Sequence, residues 1–156
     1  MCMSQPEDMK VRGIDCAENV AFKKNTSQSS TWWIEKSSNA VDGDNGTKTS
    51  TQQTNLTTHW WMVDFGSLKM IDEIEMAIKM RPTKSGYTVL LSNASDFSDS
   101  ELCHNIPNVD KSYDGGWKEH RFKCLKGNVA ARFMKVELIS IGALAFKEVT
   151  VMGWNA

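Results

Sequence analysis

Ser37–Gly66 reads SSNAVDGDNGTKTSTQQTNLTTHWWMVDFG, and its two halves differ in kind. In the first, Asn39, Asp42, Asp44, Asn45, Thr47, Thr49 and Ser50 crowd oxygen atoms into a few residues, interrupted by Gly43 and Gly46. Glycine lets a backbone take positive φ and turn its carbonyls inward. A calcium ion takes six to eight such oxygens from carboxylates, carbonyls and hydroxyls. The second half, Trp60, Trp61, Met62, Val63 and Phe65, is an aromatic and aliphatic run suited to a buried strand. Composition alone leaves two readings open, a metal loop anchored to a core strand and an ordinary polar turn.

Three ordered motifs carry a resemblance. Asn19–Thr31 begins N-V-A and ends Q-S-S-T, Asn39–Gly43 reads N-A-V-D-G, and Trp60–Gly66 reads W-W-M-V-D-F-G. In that order the chain resembles the F-type lectin (fucolectin) branch of the discoidin-like, galactose-binding-domain superfamily, from about Asn19 to Gly153. The resemblance implies one all-β domain, an antiparallel β-sandwich or jelly roll over residues 19–154, preceded by an N-terminal extension, residues 1–18. It also implies a Ca2+ site built from Asn39, Asp42, Asp44 and Ser50, closed by Lys147 and Glu148 from near the end of the chain. Against this stands the plainer reading of Glu148 as a solvated edge carboxylate.

The residues by themselves agree with the fold. Ile74, Met76, Ile78 and Met80 alternate with Glu75, Ala77 and Lys79, and Tyr87, Val89 and Leu91 alternate with Thr88, Leu90 and Ser92. His120, Phe122 and Cys124 repeat the pattern, and Phe133–Leu138 with Val149 and Val151 supply two late strands. Period-two spacing broken by Gly, Pro, Asn and Ser marks an antiparallel sandwich or barrel. Asp96–Gly116 reads instead as a long irregular segment that needs a tether. Cys103 and Cys124 flank much of it, and the resemblance implies a disulfide between them; free core thiols are the alternative. Cys2 and Cys16 either close a small N-terminal loop or leave Cys2 to pair outside this chain.

The sugar motif is where the chain departs from its resemblance. Fucose-binding members carry a histidine before the WW strand and an R-x-D-x-x-x-x-R loop. Here those positions fall on Gln53 and on the shorter stretch Lys79–Gly86, which has no Asp. Gln53, Lys79, Arg81 and Lys84 are the expected ligand-binding residues. Lysine does not reproduce the bidentate fork of arginine, so the usual fucose geometry is expected to be altered or lost. Trp32, Trp33 and His59 are candidate stacking faces, and one of the two tryptophans is expected to plug the end of the sandwich.

At 156 residues and a net charge of −1, the chain suits one domain and gives no support for nucleic acid as a partner. No apolar run is long enough to span a bilayer, and Met1–Lys10 lacks the apolar core of a secretory leader. Sequons at Asn25, Asn45, Asn55 and Asn93, together with four cysteines, point to an oxidising, glycosylating compartment. The expectation is a secreted protein or the extracellular part of a membrane protein. No G-x-S-x-G, H-E-x-x-H or C-x-x-C occurs, so an enzyme is not expected. The expected partner is a cell-surface glycan or glycoprotein, or alternatively a protein receptor.

Overall fold

The computed structural model describes residues 17–53, 58–79, 86–107, 116–139 and 142–156. Among these the chain forms nine β-strands and one short 3-10 turn, Ser37–Val41. The strands are β1 (Glu18–Asn19), β2 (Asn25–Gln28), β3 (Thr49–Ser50), β4 (His59–Lys79), β5 (Tyr87–Ser92), β6 (Glu101–Ile106), β7 (Trp117–Lys123), β8 (Val129–Leu138) and β9 (Ala145–Asn155). All pair antiparallel.

β4 belongs to both layers of the sandwich. Its first half lies between β2 and β8, with Trp61 opposite Gln28 on one side and Val136 on the other. Beyond β8 come β5 and then β6. Its second half lies between β9 and β7, with Glu75 opposite Thr150 and Arg121. β1 and β3 extend that layer past β9. The change of layer falls at Gly66–Leu68, where the register with β8 shifts between Asp64 and Lys69. Gly66 has φ +87°, a conformation that costs glycine little, and Asp64 Oδ1 accepts from its N–H at 2.8 Å.

The alternation read from the sequence decides which side chains meet between the layers. Trp61, Val63 and Phe65 are fully buried, and after the corner Ile71, Ile74, Met76 and Ile78 are buried too. Tyr87, Val89 and Leu91 stand beside Leu138, Val136 and Met134 of β8, and all share one core with Phe146, Val149 and Val151 of β9. Trp61 is the joint. Its ring meets Phe146 of β9 edge-on at 5.2 Å, and its indole N–H donates to the Ser37 carbonyl at 3.0 Å. A buried tryptophan needs such an acceptor for its one donor.

Two expectations are corrected. Asp96–Gly116 is not irregular throughout, since β6 runs through it and pairs with β5. Its register shifts between Val89 and Leu90, and polar Glu101, His104 and Asn105 mask the alternation in the sequence. Neither Trp32 nor Trp33 plugs the sandwich: they are 52% and 84% exposed, and Trp61 with Phe146 fills the interior instead. The Cys103–Cys124 disulfide is formed, linking β6 to the residue after β7. Cys2 and Cys16 lie outside the described residues.

Candidate functional site

Two groups of residues meet at β9, on either side of one irregularity. Met76 pairs with Val149 and Ile78 with Phe146, so two steps along β4 are matched by three along β9. One extra residue in a strand is a β-bulge, and it re-aims side chains. Here Phe146 and Val149 both stay buried while Lys147 and Glu148, adjacent in sequence, are both only partly buried. Glu148 turns to an acidic loop and Lys147 to the ring of Trp117, which lines an aromatic recess.

The acidic loop leaves the 3-10 turn and curls on its own side chains. Asp42 Oδ1 accepts from Asp44 N–H at 2.9 Å, and Asp44 Oδ1 accepts from Gly46 N–H at 2.7 Å. Gly43, at φ +80°, lets the backbone pass close to Phe22, where a Cβ would come within 2.8 Å of the ring. Around the Thr47 hydroxyl stand three acceptors: the Asn39 carbonyl at 3.2 Å, Asp42 Oδ2 at 2.6 Å and the Asp44 carbonyl at 3.0 Å. A hydroxyl has one proton, so at most one of these three oxygens receives it fully.

Glu148 reaches this loop from β9. Its Oε2 accepts from Gly43 N–H at 2.7 Å, while its Oε1 is buried and has no hydrogen-bond partner. Burial, reinforced by the nearby charges of Asp42 and Asp44 and opposed by the Gly43 bond, pushes its pKa up to about 7. Clustered oxygen lone pairs with an unsatisfied carboxylate oxygen fit the chemistry of a hard cation such as Ca2+. Among the described residues no three of His, Cys, Asp and Glu form a metal cluster by themselves. The donors here would be carbonyls and a hydroxyl as much as carboxylates.

Of the expected metal residues, Asn39, Asp42 and Asp44 are brought together and Glu148 is bonded to the same loop. Ser50 is not brought to it. Its carbonyl accepts from Trp32 N–H at 2.9 Å and its hydroxyl donates to the Thr51 carbonyl at 2.9 Å. The hydroxyl in the loop belongs to Thr47, three residues earlier, because β3 has already begun at Thr49 and commits Ser50 to pairing with Ala145.

Ser50 lines the second feature, a recess of about 240 Å³ at the end of the β4–β7–β9 layer. Its walls include Trp32, Glu35, Lys48, Gln53, Lys79 and Trp117. Two of the expected ligand-binding residues, Gln53 and Lys79, are therefore in one cavity; Arg81 and Lys84 lie outside the described residues. Lys48 Nζ pairs with Glu35 Oε1 at 3.2 Å. Lys79 Nζ and Lys147 Nζ stand 5.4 and 5.2 Å from the centre of the Trp117 ring. Within about 6 Å an ammonium is attracted to an indole face. His59 is no stacking face: it is buried, with Nδ1 at 3.3 Å from the Thr51 hydroxyl.

Sequence reasoning missed Trp117 and the ammonium of Lys147. Trp117 follows a long segment of weak pattern, and only the register of β7 with β4 sets it opposite Lys79. Thr47 carried a signal, as a hydroxyl in the glycine-spaced loop. The sequon residues Asn25, Asn45 and Asn93 are exposed, and Asn55 lies outside the described residues.

Comparison with known proteins agrees with this architecture. A family model described as NedA-like, galactose-binding domain matches residues 39–136. No curated protein sequence matches. Among solved structures, the chain is similar to an f-lectin (fucolectin) from the serum of Morone saxatilis (striped bass). The two are 21% identical with a TM-score of 0.74 over 91% of this chain and 50% of that one, so this chain spans half the length of that protein. It is similar also to a Streptococcus pneumoniae fucose binding module, at 23% identity and TM-score 0.66, covering 88% and 96% of the two chains. A chitosan-binding module from a chitosanase/glucanase of Paenibacillus sp. IK-5 shares 18% identity, with TM-score 0.65, over 86% and 98%.

Proposed function

The chain belongs to the NedA-like galactose-binding domain family, and on that footing we propose that it is a calcium-stabilised, lectin-like module that binds glycans outside the cell. The observation that carries the reading is the recess between Trp32 and Trp117, with Gln53 and Lys79 in its wall. A sugar offers an apolar ring face and a rim of hydroxyls, and a site of convergent aromatic and polar side chains answers both. Its solved neighbours include modules described as binding fucose and chitosan, which supports a saccharide without choosing one.

Calcium is the proposed cofactor. Asn39, Asp42, Asp44, Thr47 and Glu148 would hold it, and the buried, unpartnered Oε1 of Glu148 favours a cation there. The ion would supply structural cross-linking, tying the loop after the 3-10 turn to β9. Ligand binding of this kind involves no bond making, and the module is read as non-enzymatic. The Cys103–Cys124 bond and the exposed sequon asparagines support a secreted or ectodomain location. The carbohydrate acceptors proposed are Asn25, Asn45, Asn55 and Asn93.

L-fucose in its usual family geometry is not the proposed ligand. Gln53 stands where a histidine is expected, and lysine supplies a point charge where arginine supplies a fork. Losing two charge-assisted contacts, each about 1.5–3 kcal/mol, weakens binding by at least about two orders of magnitude. A glycan-array screen, run with calcium and with a chelator, tests the whole reading. Binding that needs Trp117 is expected, with L-fucose weak or silent. An array without a single saccharide hit sinks it.

A second reading has one observation in its favour. Trp33 and Ile34, next in sequence to Trp32 of the recess wall, are 84% and 72% exposed, and consecutive exposed apolar residues suit a protein receptor. A receptor-binding module would leave the array empty and would lose its partner on replacement of Trp33.

A further inference from the structure

We propose that the recess selects an acidic glycan, a sugar bearing a carboxylate or a sulfate. The inference rests on the glycan-binding reading and goes beyond it to the class of sugar.

The charges around the recess are unevenly compensated. Lys48 is matched by Glu35 at 3.2 Å. Lys79 and Lys147 are different: among the described residues neither forms an ion pair, and both ammonium groups converge on the ring of Trp117. The convergence comes from the fold. Lys79 is opposite Trp117 in the β4–β7 register, and the β9 bulge leaves Lys147 only partly buried beside them. An indole face attracts each ammonium, and neither charge is neutralised by a carboxylate among the described residues. An anion that reaches the edge of this ring gains a charge-assisted hydrogen bond from one ammonium and the attraction of the other.

Trp32 completes the arrangement. It is half exposed, lines the same recess, and is not engaged by either ammonium. A pyranose can lay its apolar face on Trp32 while its anionic substituent reaches the lysines. A neutral sugar would leave the two charges unmatched, and a cationic one such as glucosamine would add a third positive charge. The arrangement therefore discriminates by charge as well as by shape.

Isothermal calorimetry in calcium with four probes tests this: lactose, sialyllactose, sulfated lactose and a glucosamine trimer. One or both anionic forms are expected to bind about tenfold or more tighter than lactose. Which of them does so tells carboxylate from sulfate. The preference should shrink as salt is raised in the wild-type protein and disappear in Lys79→Ala/Lys147→Ala, while Lys79→Arg keeps it. The salt series needs no variant, so a misfolded double mutant does not spare the proposal. Lactose or the glucosamine trimer binding as well as the acidic sugars overturns the acidic selection and leaves glycan binding standing. A preference that survives the double substitution also overturns it. Silence from every probe, with an empty glycan array, removes both readings together.

Discussion

The acidic loop and the aromatic recess start from neighbouring residues, Glu148 and Lys147, yet they are built in opposite ways. The loop is local. Asn39, Asp42, Asp44 and Thr47 lie within nine residues, and Glu148 alone comes from afar. The recess draws Trp32 and Gln53 from loops, Lys79 from β4 and Trp117 from β7, with Lys147 of β9 over the Trp117 ring, and they meet only because the fold brings them to one end. A local site tolerates errors elsewhere in the fold. A dispersed one depends on register, where a slip of one residue turns each side chain to the other face.

The comparison breaks first at Trp61, which touches the residue before Lys147 and bonds the turn that precedes the acidic loop. Trp61→Ala removes a fully buried ring that touches Phe146 and bonds Ser37, so it should cost about 3–5 kcal/mol. Chemical denaturation reads this, and calcium response and sugar binding should weaken together. A variant that loses only one of the two responses would show that Trp61 is not their common support.

Next comes a change that should spare both regions. The disulfide spans a sequence separation of 21 and follows the Lys123 end of β7, the opposite end of that strand from Trp117. Replacing both cysteines by serine should lower stability by about 3 kcal/mol in the chain-entropy model. Calorimetric affinities for calcium and glycan should be unchanged in the protein that remains folded. A coupled loss would extend the sites to β6.

Calcium separates the two. At a hundredfold excess over its Kd, an ion bound only by the folded state stabilises by about 2.7 kcal/mol, or roughly 5–10 °C in Tm. Asp42→Ala and Glu148→Ala should each abolish the increment, whereas Lys79→Ala should keep it. Identical melting curves in EDTA and in millimolar calcium would sink the ion site.

The smallest effect is in pH. Without calcium, Glu148 has its folded pKa pushed from 4.5 up to about 7. The folded state then holds the proton more tightly than the unfolded one. This contribution to stability is complete below about pH 4.5 and is lost as pH rises through about 7. Tm measured in EDTA should therefore fall across that range, and Glu148→Gln should flatten the slope. Calcium needs the charged carboxylate, so its affinity should rise over the same interval. An equal slope in Glu148→Gln assigns the pH effect to another group.

Legibility in the sequence followed the same divide. Alternation at Ile74–Ile78 and Tyr87–Leu91 fixed which face of each strand is buried, and the structure agrees residue by residue. The glycine-spaced loop announced Asp42 and Asp44 because its chemistry is contiguous. Ser50 was misplaced into it because the sequence does not say where β3 begins. Trp117 left no local trace, since its meaning comes from standing opposite Lys79. The β9 bulge was equally silent: nothing in Phe146-Lys147-Glu148-Val149 says that an extra residue is accommodated there.

The pairing of β1 with β9 sets Glu18 opposite Gly153, so the backbone enters and leaves the sandwich at adjacent points. Ala145, at the other end of β9, lines the recess, eight residues and about 25 Å away along the strand. The entry and exit of the backbone and the recess are thus at opposite ends of β9. A host polypeptide can carry such a unit within a surface loop, or several in series, with every recess turned outward. If the recess binds glycans as proposed, side-by-side display would add avidity for a densely decorated surface without a single new contact.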